Sequence, residues 1–152
     1  IIRNHIEHQL DLDTYTPRVW SGIEISCTLK KCLVHVLGYG FQLKHKSLTR
    51  YSLGESVSGE YLNADYVVNC IHEAGGLAFL AHPARYRIGY QRLIEFAVKA
   101  DFDGLETWYD YDFNPIWQPT PIVCEKIRSL AITNGLLTSC GTDSHGYCLD
   151  GR

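Results

Sequence analysis

No methionine occurs anywhere in the chain, so it cannot begin on its own initiator, and we expect Ile1 to lie within a longer protein. A C-x-x-C pair is missing too. The six cysteines (Cys27, Cys32, Cys70, Cys124, Cys140 and Cys148) are too few for a disulfide scaffold at this length. Most fall inside apolar runs, where a reduced cysteine behaves as a small hydrophobe. An excess of basic charge is also absent: a net charge of -3 offers no field for a nucleic-acid duplex or an acidic membrane. No apolar run approaches the roughly 20 residues a membrane helix needs, and the amino terminus has no basic-then-apolar signal pattern. These absences point to a soluble, cytoplasmic protein with no membrane partner and no duplex DNA footprint. No internal repeat or low-complexity tract competes with a globular reading.

What is present suits one domain over residues 1–152: 45% of the residues are apolar and 20% charged. Ile2, Ile6 and Leu10 recur as on the last turns of a helix, with His5 and His8 on its surface. Trp20 to Cys27 alternates as a strand, with Ile23 and Ile25 on one face and Glu24 on the other. A second β run covers Leu33 to Tyr39. A tight hairpin about Leu29 and Lys30 would set Glu24 opposite His35, although a half-exposed polar face fits the same pattern. Gly38 to Asn63 reads as a long polar excursion. Asn63 can cap a helix with Ala64, Val67, Val68 and Ile71 inward, ended by Gly75-Gly76. Leu77 to Ala81 is a buried strand stopped by His82-Pro83. A helix with Tyr90, Leu93, Ile94 and Ala97 on one stripe, a strand carrying Glu106, and a helix from Thr120-Pro121 with Val123, Ile127, Leu130 and Ala131 inward then follow. Leu136 to Cys140 is the last strand. Strand and helix alternate with short joints, the pattern of parallel βα units.

In such α/β folds ligands sit at the carboxyl ends of strands. His82 occupies such an end, where it either serves a site or simply caps the strand, and Arg85, Tyr86 and Arg87 add anion-binding donors just after it. Glu24 and His35, then Asp143 and His145 in the turn after Gly141, complete a set of imidazoles and carboxylates without a thiolate. That donor set fits zinc, manganese or iron, and its mixture suits more than one ion. Trp108, Tyr109, Tyr111, Phe113 and Trp117 follow the Glu106 strand, where they pack locally or offer a stacking surface for a base.

The motifs G-I-E-I-S, H-V-L-G-Y, G-G-L-A-F-L-A-H-P-A-R-Y, D-G-L-E-T-W-Y and C-G-T-D-S-H-G, in this order from Trp20 to Gly146, resemble the later motifs of the PHP (polymerase and histidinol phosphatase) superfamily. The A-H-P-x-R-Y and G-T-D-S-H-G forms are most similar to its bacterial phosphoesterase branch. The resemblance implies the carboxyl-terminal two thirds of a distorted (β/α)7 barrel, with two or three divalent ions in the complete domain. It implies Glu24, His35, His82, Asp143 and His145 as metal ligands, with His82 and Arg85 at the catalytic centre and Arg85 on phosphate. The family's opening H-x-H and its later D-H pair are not in this chain, and His5-x-x-His8 has the wrong spacing to replace them. The implied activity is hydrolysis of phosphate esters by metal-activated hydroxide, on a small phosphorylated substrate such as a nucleotide or single-stranded oligonucleotide. Histidinol phosphate as substrate, or a non-catalytic polymerase-associated module, are the alternatives.

Overall fold

The computed structural model describes residues 19–53 and 57–145; the segment with Ile2, Ile6 and Leu10, and Gly146 and Cys148, lie outside them. The architecture is α/β. Five strands, β1 (Gly22–Leu29), β2 (Cys32–Tyr39), β3 (Leu77–Leu80), β4 (Gly104–Trp108) and β5 (Leu137–Cys140), form one mixed sheet in that order. The helices are α1 (Thr49–Ser52), α2 (Ala64–Glu73), α3 (Tyr90–Lys99) and α4 (Pro121–Thr133).

Alternation along the β1–β2 hairpin separates core from site. Ile25, Cys27 and Leu29 are buried and lie opposite Val36, Val34 and Cys32, so one face of the hairpin enters the core with Val67, Val68 and Ile71 of α2. The other face carries Glu24 and His35. The turn differs from the expectation about Leu29 and Lys30: its loop residues are Lys30 and Lys31, both left-handed at φ 47° and 66°, which matches the twist of a two-residue hairpin. Glu24 therefore pairs with Leu37, and His35 with Ser26. The slip is two residues, an even number, and so Glu24 and His35 remain on one face.

Parallel pairing holds for β3 with β4 and for β4 with β5, but β2 and β3 run antiparallel. Tyr39, which ends β2, is the partner of Leu77, which begins β3, so the intervening chain returns to the end of the sheet it left. That chain is also more ordered than a polar excursion. Leu48 is buried in the core, the Ser47 hydroxyl donates to the Cys70 carbonyl at 2.7 Å, and Tyr51 donates to the Tyr61 carbonyl at 2.8 Å.

Helices α2 and α4 end in the same hydrogen-bonded motif. Gly75 and Gly135 take left-handed φ of 76° and 69°, and the residues after them, Gly76 and Leu136, donate back to Ile71 and Ala131. On α3 Asp101 fills that position at φ 60°, a conformation that a short polar side chain tolerates. The buried stripes are Leu93, Ile94 and Ala97 on α3 and Cys124, Ile127 and Ala131 on α4, with Val123 and Leu130 only partly covered. Cys27, Cys32, Cys70, Cys124 and Cys140 are free thiols. Among the described residues no helix is long and apolar enough to cross a membrane.

Candidate metal centre

Glu24 of β1, His35 of β2 and His82, just beyond β3, bring one carboxylate oxygen and two imidazole nitrogens within 4.8 Å of one another. Strand alternation puts the first two on the site face. His82 arrives differently: the ladder bond from Ala81 N to His35 O is followed by Pro83, which has no N–H to continue it. The backbone turns at His82 through φ 27° and ψ 63°, and its N–H donates to Glu106 Oε2 at 2.8 Å.

Glu24 Oε1 lies 2.6 Å from His35 Nδ1 and 3.7 Å from His82 Nε2. The shorter contact is close enough for a hydrogen bond but is not aligned as one, and neither ring nitrogen of His82 has a hydrogen-bond partner. His82 is only 3% exposed, and a buried imidazole without partners costs free energy unless something else satisfies it. A cation meets that need. Two atoms each about 2.1 Å from one ion lie at most about 4 Å apart, and both measured separations fall within that reach. Two imidazoles and one carboxylate are also the donor chemistry of zinc, manganese and iron sites. The residues therefore fit a divalent ion.

The electrostatics agree. Contact with His35, and then with His82, holds the Glu24 carboxyl far below the usual range against the opposing effect of burial, and the same contact raises His35. The contact therefore favours the carboxylate form of Glu24 and the protonated form of His35.

The other two expected ligands stand beside this group. Asp143, at φ 54°, accepts from Arg85 Nη1 and, at 3.0 Å, from the Tyr109 hydroxyl. His145 is exposed and donates from Nδ1 to the Asp143 carbonyl at 2.9 Å. Asp143 still acts on the centre, since its charge helps to raise His35.

Arg85 stands with Asp143 and Tyr109, outside the Glu24, His35 and His82 group. Its Nη1 donates to Tyr109 Oη at 2.8 Å as well as to Asp143, and the Phe113 ring centre lies 5.3 Å from its Cζ. Next to it opens a cleft of about 470 Å³, lined by Thr28, Lys31, Arg85, Tyr86 and Arg87 among others and by no carboxylate. Arg87 Nη2 ties this loop to the hairpin through the Lys31 carbonyl.

Three residues named in the sequence reading take roles at the site that it did not assign to them. Glu106 is 4% exposed and its carboxyl is raised, chiefly by burial. Tyr109 is buried, with its phenol pushed up to about 12 by burial and by Asp143. Tyr86 accepts the His35 N–H at 2.8 Å. For Glu106 the signal was a carboxylate inside an otherwise uncharged strand; Tyr86 was expected as an anion-binding donor and Tyr109 as a packing or stacking ring, whereas they bond the His35 N–H and Arg85.

No family model and no curated protein matches the sequence. Among solved structures, the fold is similar to an amidohydrolase from Chromobacterium violaceum with bound sulfate and no metal, at a TM-score of 0.65 and 19% identity over 83% of this chain and 67% of that one. It is also similar to a protein assigned as a metal-dependent phosphoesterase from Bifidobacterium adolescentis, at a TM-score of 0.58 and 19% identity over 82% and 67% of the two chains. What the chain shares with these proteins is their fold, and the Glu24, His35 and His82 group is built on it.

Proposed function

We propose that the chain is a metal-dependent phosphoesterase of the PHP type, its five strands forming part of a (β/α)7 barrel. The observation that carries this reading is the pairing of two sites: a Glu24–His35–His82 cation group, and a cleft beside it lined by Lys31, Arg85 and Arg87 without an acid. An amide substrate has no use for that basic wall. A phosphate ester does, and the substrates that fit are nucleotides or short oligonucleotides, with Phe113 open to a base at 63% exposure.

Glu24, His35 and His82 would hold a divalent ion, with Asp143 and His145 available for a second. When bound, such an ion supplies Lewis acidity toward a phosphoryl oxygen and lowers the pKa of water. Arg85 contributes the anion grip: among the described residues its side-chain hydrogen bonds use Nη1, so the rest of its donor fork can reach phosphoryl oxygens. Tyr109 fixes the guanidinium from behind, and Tyr86 steadies the His35 backbone.

The test is to load the protein separately with zinc, manganese and iron and to offer p-nitrophenyl phosphate, mononucleotides, short oligonucleotides, histidinol phosphate and simple amides. Metal-dependent phosphoester turnover that His82→Ala abolishes is the expected result. Amide hydrolysis without phosphoester hydrolysis would overturn the proposal.

A further inference from the structure

Glu106 stands outside the Glu24, His35 and His82 group, yet its carboxylate is among the most deeply buried charged side chains of the described residues. We infer that Glu106 is a positioning residue for the metal centre: by accepting the His82 N–H it holds that residue in the left-handed backbone conformation that aims its imidazole at Glu24 and His35. The inference rests on the reading of that group as a cation site.

Three independent features converge on it. His82 is neither glycine nor asparagine, and at φ 27° it occupies a sparsely populated backbone region that persists only when its surroundings enforce it. The enforcing contact is the 2.8 Å bond from the His82 N–H to Glu106 Oε2. Glu106 is in turn held in place by the chain leaving β5: a Cβ on Gly141 would come within 1.9 Å of Glu106 Oε1, so only glycine leaves room for the carboxylate there. Gly141 is itself fixed by its N–H bond to the Trp108 carbonyl at 3.2 Å. The imidazole is then confined by the rings of His35, Tyr86 and Tyr109, at centroid distances of 5.3, 5.4 and 5.3 Å.

Zinc alone is the probe, titrated into the intact protein with a competing chelating indicator, and the His82 backbone amide resonance is followed in the metal-free form. Glu106→Gln retains an acceptor oxygen and should keep zinc affinity within about threefold and the amide shift nearly in place. Glu106→Ala should weaken zinc by about 10-fold to 100-fold, the range for losing a residue that orients a ligand, and move the His82 amide upfield. Gly141→Ala, which displaces Glu106 without removing it, should reproduce that loss, and combining it with Glu106→Ala should add nothing further. If Glu106→Ala does not fold, Glu106→Gln and Gly141→Ala carry the comparison. Unchanged zinc affinity in Glu106→Ala or Gly141→Ala overturns the inference, as does a Gln variant as impaired as the Ala variant. Wild-type protein that binds no zinc would instead remove the metal reading, while the amide shift would still report on the Glu106–His82 bond.

Discussion

His82 Nε2 lies 3.7 Å from Glu24 Oε1, and neither nitrogen of that imidazole is hydrogen-bonded. Among the described residues no hydrogen bond engages either nitrogen, which leaves both open to the cation proposed above.

The first expectation concerns stability with metal. Zinc at about 100 times its dissociation constant should stabilise the wild-type protein by about 2.7 kcal/mol, a rise of several degrees in Tm. His82→Ala should lose most of that rise, because one of three converging ligands is gone. A calorimetric scan with and without zinc measures it, and an equal rise in both proteins would place the ion elsewhere.

Arg85→Ala should raise KM for a phosphoester while bound metal, measured by elemental analysis, stays constant. A charge-assisted hydrogen bond to phosphate is worth about 1.5 to 3 kcal/mol, roughly 10-fold to 100-fold. Arg85 touches Asp143 rather than the Glu24, His35 and His82 group, so metal lost in parallel with substrate affinity would contradict its role.

Of the aromatics at and after the end of β4, Phe113 presents an exposed ring beside Arg85, whereas Tyr109 is buried. Phe113→Ala should weaken nucleotide substrates by about 1 to 3 kcal/mol and leave p-nitrophenyl phosphate nearly unaffected. Equal losses on both would make Phe113 a packing residue. Trp108→Ala and Trp117→Ala serve as comparisons, and there equal losses are expected.

The alkaline limit of stability should involve Cys27, whose thiol is pushed up to about 12 by burial. The unfolded chain ionises this thiol near pH 8.5 and the folded chain does not, so the unfolded state binds fewer protons and stability falls as pH rises. The slope approaches about 1.4 kcal/mol per pH unit between roughly pH 8.5 and 12. Chemical denaturation of Cys27→Ala across that range should show a shallower decline, and identical slopes would assign the alkaline limit to other groups.

Much of this site was legible because it depends on alternation. Glu24 and His35 could be assigned to one face from period two alone, and a misplaced turn did not matter because the slip was even. The end of β3 was legible from Pro83, and Leu93, Ile94 and Ala97 of α3 and Ile127 and Ala131 of α4 from helical spacing, which missed the buried Cys124. Direction was not: nothing in Leu33 to Tyr39 tells that its neighbour runs antiparallel, since that depends on where the long connection returns. Nor did the spacing of Asp143 and His145 reveal that Arg85 and Tyr109 engage the aspartate, because those contacts join segments 58 and 34 residues apart. Side chains that act through tertiary contacts, such as Glu106, leave only a faint mark in the chain, here a carboxylate where an apolar residue would be cheaper to bury.

The two-lysine hairpin makes the candidate metal centre quantised with respect to insertion and deletion. Removing one residue between Lys31 and His35 would exchange the imidazole with the valine beside it, sending nitrogen into the core and isopropyl into the site. Removing two would restore the facing but translate the ring by about 6.8 Å along the strand, well beyond the span of a single ion. Length variation among relatives of this protein should therefore be absent from the hairpin and tolerated after Tyr39, where the chain leaves the sheet and spacing no longer sets which atoms meet.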